Sequence, residues 1–339
     1  MKETLAIAQQ LNSRPASAWA LATLVDVAGS SYRRAGARLL VGADATRIGS
    51  ISGGCLEADV VERARAVLAS GVPDVVTYDT TSENDLVWGV GLGCHGVVRV
   101  LIERVAPGSP WAPALAANSA QRRPTPLAVV WQAPATGGLP LGTRLDDASL
   151  PAANGSLSVF REVVLPPRPL LICGAGDDAQ PLARLAKELG WHVTVSDPRP
   201  AFATAARFPE ADTVVATPTA TIASLVADDP RAAAVIMTHH YVHDLPLLRA
   251  LLPRRLAYLG LLGPKKRAER LLADVEKEGL VLTPEMRARL HAPIGLDLGG
   301  DTPEAVALAM IAEMQSVLNG RNARPLRQRD RPIHDDGGQ

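Results

Sequence analysis

PLLICGAGDDA, residues 169–179, holds the decision about the fold. An apolar run of strand type ends in Gly-Ala-Gly and opens into a helical pattern, which puts Gly174, Gly176 and Ala179 at the positions of a G-x-G-x-x-G/A turn. Glycine at 174 permits a tight turn, and glycine at 176 lets backbone N–H groups approach a pyrophosphate. Asp197 ends the next strand 23 residues after Gly174, where a carboxylate can accept from ribose hydroxyls. Asp177 and Asp178 oppose that use. Carboxylates in the first helical turn suit the positive end of the helix dipole and compete with any phosphate placed there.

Outward from this turn, residues 169–320 alternate strand and helix. The strands read as PLLIC, WHVTVSD, DTVVAT, AAAVIMT and AYLGLLG, with helices at about 177–189, over the 200s, briefly after DTVVAT, at LPLLRALL and at about 303–318. Val- and Ile-rich strands at this spacing predict a doubly wound parallel sheet. Ligands of such sheets collect at strand C-termini, which directs attention to THHYVHD (238–244) and its Thr238, His239 and His240. On a helix, His239 and His243 share a face, as a metal pair or as hydrogen-bonded rim histidines. Lys265, Lys266 and Arg267 stand at a helix start, as an anion clamp or a solvated basic turn. Asp301 or Thr302 caps the last helix, with Pro303 in its first turn.

Residues 1–105 read differently. A helix over 2–12 precedes the strand AWALATLVDV, then ARLLVG and RIGSISGG alternate as a hairpin turning near Gly42, and CLEADVVERARAVLASG is a helix stopped at Gly71. VVTYDT and VVRVLIERV add strands, giving an α+β domain. The proline-rich residues 106–168 are expected to form a connecting subdomain or linker, with one strand at PLAVVWQA, and 321–339 to form a disordered tail.

The chain has 339 residues, enough for two or three domains, and Lys plus Arg balances Asp plus Glu at 35 each. That balance removes the footprint of a nucleic-acid or anionic-membrane binder. No apolar run approaches the ~18 residues of a membrane span. MKETLAIAQQLNS lacks the apolar core and cleavage site of a secretory signal, and an odd three cysteines fit a reducing compartment, so a cytoplasmic protein is expected.

Two of those cysteines sit on bare backbone. Cys55 follows Gly53 and Gly54 in SGGCLEADV, and Cys94 follows Gly93 in GLGCHG, whereas Cys173 ends an apolar run. At a helix start, free N–H groups and the dipole would make the Cys55 thiol nucleophilic or metal-binding. Glycines around Cys94 let a bulky ligand reach its sulfur. Soft-metal coordination, a redox disulfide, persulfide carriage and contact with a sulfur-containing cofactor all suit such a pair. Two small residues in tight turns would look the same.

GSSYRRAGARLLV, SGGCLEADV, GLGCHGVV, LLICGAGDDAQPLARLAKELGW, THHYVHD, YLGLLGPKKRAERL and HAPIGLDLGGDTPEAVALAM together resemble the XdhC/CoxI family, accessory factors for molybdenum hydroxylases of the xanthine dehydrogenase type. The resemblance implies an α/β protein with an N-terminal cysteine-bearing α+β domain and a C-terminal Rossmann-like domain, in a homodimer. It implies a cytoplasmic protein that binds molybdenum cofactor, supports addition of its terminal sulfido ligand and delivers it to the apo-hydroxylase, with a cysteine desulfurase as a further partner. Cys55 and Cys94 match the family's cysteines and are the expected contacts to molybdenum or its sulfur. Arg33, Arg34 and the Lys265 to Arg267 group would offer charge to the pterin phosphate. The competing reading is an NAD(P)-dependent oxidoreductase with a rim histidine such as His239 as proton donor. An adaptor that only docks partner proteins is the third.

Overall fold

The computed structural model describes residues 2–79, 96–135, 138–147, 150–153, 155–330 and 333. It divides into two compact units, Met1–Pro166 with Arg329–Gln339, and Pro167–Gln328.

In the first unit, α1 (Lys2–Ser13) leads into β1 (Trp19–Gly29), β2 (Arg38–Gly42) and β3 (Arg47–Gly49), and α2 (Glu57–Ser70) leads into β4 (Asp74–Asp79) and β5 (Gly96–Val105). The strands form an antiparallel sheet in the order β3-β2-β1-β5-β4. α2 buries Val60, Val61, Ala64 and Val67, one helical stripe, against a face that includes Ala22, Leu24, Leu39 and Val100. It stops where Gly71 takes a left-handed φ of 73° and returns its N–H to Val67 O.

Residues 106–166, expected as a connecting stretch, supply α3 (Trp111–Ala120) and the antiparallel strands β6 (Thr125–Gln132), β7 (Gly142–Leu145) and β8 (Ser158–Val164), ordered β7-β6-β8. Their apolar residues join the other face of the first sheet: Trp111, Leu115, Leu127 and Val164 cluster with Ile7, Trp19, Leu21 and Leu40. Leu326–Gln328, within the expected tail, form a short 3-10 turn.

The second unit contains β9 (Pro169–Cys173), α4 (Ala179–Glu188), β10 (His192–Asp197), β11 (Thr213–Ala216), α5 (Thr219–Ile222), β12 (Ala233–Ile236) and α6 (Tyr241–Leu251). β13 (Tyr258–Leu261), α7 (Lys265–Lys277), α8 (Pro284–Ala288), β14 (Leu290–His291) and α9 (Pro303–Leu318) complete it. All strands are parallel, in the order β11-β10-β9-β12-β13-β14, so the order reverses between β9 and β12. Leu170 and Ile172 of β9 join the core on one face, and Leu171 and Cys173 the core on the other. A strand covered on both sides is why PLLIC reads as an unbroken apolar run.

The helix expected over the 200s is absent. Pro198, Pro200 and Pro209 punctuate that stretch, which runs as turns anchored by the buried Phe208. Thr302 caps α9 through its hydroxyl, which accepts from Ala305 N, and Pro303 occupies the first helical position.

Candidate functional site

Ser52 and Glu57, neither of them singled out in the sequence, build the loop that carries Cys55. Glu57, the first residue of α2, turns its carboxylate back: Oε1 accepts from Ser52 N at 2.8 Å, Ser50 Oγ at 3.2 Å and Ile51 N at 3.3 Å. Ser52 Oγ donates to Glu57 Oε2 and accepts from Gly54 N and Leu56 N, each at 3.1 Å. Burial raises the Glu57 pKa, but the bonds from Ser52 and Ser50 outweigh it and hold the carboxyl below its ordinary value. The network clamps both ends of Gly53–Gly54–Cys55 and leaves these three residues exposed. Cys55 stands just before the N-cap residue Leu56, and among the described residues the N–H groups of Gly53 and Cys55 have no partner.

The glycines here leave room. Around Gly54, at φ 113°, an added Cβ would meet nothing within 4 Å, and at Gly53 it would meet only the Tyr32 ring, at 3.7 Å. Tyr32 follows β1, at the rim where Gly29 pairs with Gly96. A Cβ on Gly96 would collide with Ser30 O, so the segment after Cys94 requires glycine to lie against that rim. Cys94 and Gly93 themselves lie outside the described residues. Among the described residues no three His, Cys, Asp or Glu side chains gather as a metal site. Arg33 is held by Glu3 of α1, with Nη1 donating to Oε1 at 3.1 Å and Nη2 to Oε2, while Arg34 beside it is exposed.

In the second unit the glycine turn is closed. At Gly174, φ is 121° and an added Cβ would lie 2.5 Å from Met237 O, so β9 and β12 touch through a bare backbone. A Cβ on Gly176 would lie 2.7 Å from Asp178 Oδ1, so a carboxylate occupies the side from which a pyrophosphate would approach. Asp178 bonds His239 Nε2 at 2.7 Å, and Asp177 accepts from Arg207 at 2.8 Å.

Asp197, expected to face a ribose, is 1% exposed and turned inward. It accepts from Ala175 N at 2.8 Å and from Arg199 N, Nε and Nη2 at 2.8–2.9 Å. Burial raises its pKa, and these bonds overcome burial to leave it below the ordinary range.

His239 has φ 61° and precedes α6, whereas His243 lies inside α6 and bonds Thr219 Oγ1 through Nδ1 at 2.9 Å. The two do not share a helical face. His240 precedes α6 and sets its ring edge-on to His243, 6.0 Å between centroids. Arg267 is spent on the buried Asp244 and on His239 O at 3.2 Å, while Lys265 is exposed. Asp178, Arg207 and Asp244 are thus structural partners that composition alone could not pair.

Matches to known proteins follow the same two-unit division. Residues 14–79 match the XdhC and CoxI family, and residues 170–314 match the XdhC Rossmann domain. The chain is 32% identical over 315 residues to a probable xanthine dehydrogenase subunit of Bacillus subtilis (strain 168), covering 87% of this chain and 91% of that one. It is 27% identical over 297 residues to the molybdenum cofactor insertion chaperone PaoD of Escherichia coli (strain K12), covering 88% and 82%. A crystal structure titled as a xanthine dehydrogenase from Bacillus halodurans superposes with a TM-score of 0.79 at 28% identity, over 96% of this chain and 99% of that one. With one relative above 30% identity over nearly its full length, and each unit matched by its own domain family, the chain belongs to the XdhC and CoxI family.

Proposed function

We propose that this protein is an accessory factor that receives molybdenum cofactor, supports its sulfuration and passes it to a molybdenum hydroxylase of the xanthine dehydrogenase type. The observation that carries the reading is the exposed Cys55 on a loop that Ser52 and Glu57 hold open. Its donor set suits the cargo. A thiolate is a soft ligand for molybdenum or its sulfur, and the N–H groups of Gly53 and Cys55 can meet the acceptors around it. PaoD, named as an insertion chaperone, supports the same role. The cofactor is cargo here, so a solvent-facing loop with little packing suits release as well as capture.

Cys94 is proposed as the second sulfur contact, because the family resemblance gives it that role and it stands two residues before Gly96, which pairs with Gly29. A cytoplasmic homodimer served by a cysteine desulfurase completes the reading as family expectations. Arg34 and Lys265, both exposed, are proposed as candidate cations for the pterin phosphate.

The test is retention. Protein co-produced with cofactor biosynthesis should copurify with molybdenum and pterin, and bound cofactor should protect Cys55 from alkylation. Cys55→Ser and Cys94→Ser should each lose at least about tenfold in retention or client activation while still folding, since a hydroxyl replaces a soft ligand. Parental retention and activation in both variants would remove the sulfur-centred mechanism.

A further inference from the structure

A second feature of the first unit lies outside the Cys55 loop. Between its two sheets opens a cleft of about 410 Å³, inside the ~300–1,000 Å³ range of small-molecule sites. Val25, Leu157 and Val159 line it beside Trp131 and Phe160, and these two half-buried aromatics pack against the buried cluster that Val25 forms with Leu101 and Val129. At the bulge in β1, Asp26 comes opposite Arg99 of β5, and the two side chains pair while each stays 39% exposed.

In the cleft Arg161 is bonded to Asp146, Leu150 O and Pro151 O, and Ser158 to Gln132, whereas Asp26 and Trp131 keep polar capacity. Asp26 receives Arg99 on Oδ2, and among the described residues Oδ1 has no partner; nor has the indole N–H of Trp131. A carboxylate has about four lone-pair sites, so Asp26 keeps acceptor capacity on both oxygens. The guanidinium of Arg99 stands 5.9 Å from the Trp131 ring centroid, much looser than the 3.9 Å of Arg199 over Phe202. Arg99 thus meets Trp131 only at the outer limit of cation–π range.

We propose that this cleft binds a planar heterocycle with a 2-amino-4-oxopyrimidine edge, stacked on Trp131 and read by Asp26. That edge presents two adjacent N–H donors, which a carboxylate matches with two acceptors, as in bidentate pairing with a guanidinium. Stacking on an aromatic face supplies affinity for any such ring, and the carboxylate supplies the choice among them. Pterins and guanine share the edge. The proposal rests on the proposed function only in favouring the pterin, whose substituent would have about 10 Å to span, three strand residues, from Arg99 to the rim at Gly96.

The experiment is calorimetric titration of the full-length chain with 6-hydroxymethylpterin, GMP and lumazine, a pteridine with a carbonyl in place of the 2-amino group. Saturable binding of the pterin or of GMP is expected, with lumazine at least about tenfold weaker than the pterin, because a site built around an N–H rejects the analogue that lacks it. Binding of the pterin over GMP identifies cofactor as the source, and the reverse identifies a guanine nucleotide; either sustains the edge. Asp26→Asn should remove the discrimination and Trp131→Leu should weaken every ligand.

Equal affinity for pterin and lumazine in the unaltered protein, or saturable binding of neither pterin nor GMP, overturns the proposal without depending on any variant's folding. Cofactor retention that needs Cys55 in a protein that ignores free pterin would sink the cleft alone and leave the sulfur-centred reading standing.

Discussion

Both units place a cysteine beside glycines, and the two arrangements do opposite things. In Ser52–Gly53–Gly54–Cys55 the glycines face open space, and the thiol is exposed. In Cys173–Gly174–Ala175–Gly176 backbone and carboxylate crowd the glycines, and the thiol is fully buried with burial raising its pKa. Glycine next to cysteine therefore carries no meaning by itself. What separates the cases is what a Cβ would strike.

The largest test of that difference is a pair of alanines. Gly174→Ala forces a side chain into φ 121° and against Met237 O, and should destabilise the second unit by about 3 kcal/mol or more. Gly53→Ala has no positive φ to satisfy and meets only an ordinary contact with Tyr32, so its stability should stay within about 0.5 kcal/mol of the parent. Denaturant unfolding reads both. If Gly53→Ala keeps its stability but loses cofactor retention, the bare backbone serves the ligand; equal unfolding costs in the two variants would erase the contrast.

A smaller effect is expected at Glu57, which holds the open loop by hydrogen bonds rather than packing. Its folded pKa is depressed, so the stability it contributes is fully present above the ordinary value of about 4.3 and is lost as pH falls through the lower folded value. Glu57→Gln keeps an acceptor but loses the charge. It should cost about 1–2 kcal/mol at neutral pH and remove that acid-side loss from the stability profile. A Glu57→Gln profile that overlays the parent would show that the loop does not depend on this carboxylate.

The parallel sheet was legible because β9 and β12 are buried on both faces and the glycine turn has a local signature. The antiparallel sheet was legible as strands through its hairpin at Gly42, but β6–β8 were not assembled from the sequence, since their pairing bridges a proline-rich stretch with no periodic signal. The helix over the 200s misled because alanine-rich spacing outvoted three prolines. At the candidate site the exposed thiol could be read from composition, but its support could not. Ser52 and Glu57 are five residues apart, outside the Ser-x-x-Glu spacing of a capping box, and Arg33 meets Glu3 across 30 residues. Asp197 illustrates the limit from the other side: it ends β10, but Arg199 two residues later and Ala175 N hold its carboxylate inward rather than toward a ribose.

The least energetic test lies at the closed turn. His239 is raised above its ordinary pKa chiefly by its hydrogen bond to Asp178, with burial opposing. The stability from that bridge is complete below the unfolded value of about 6.5 and disappears as pH rises through the folded value. Asp178→Asn should bring the His239 midpoint, followed by NMR, down toward 6.5. Because the His239 side chain is 56% exposed, the accompanying change in stability should stay under about 1 kcal/mol. The turn would then lose a charge without losing its shape, since Gly174 and Asp197 do not depend on this bridge. An unmoved His239 midpoint would mean that Asp178 is not engaged with it in solution. The carboxylate would then be free to swing away from Gly176, and the side of the turn that a pyrophosphate needs would be open after all.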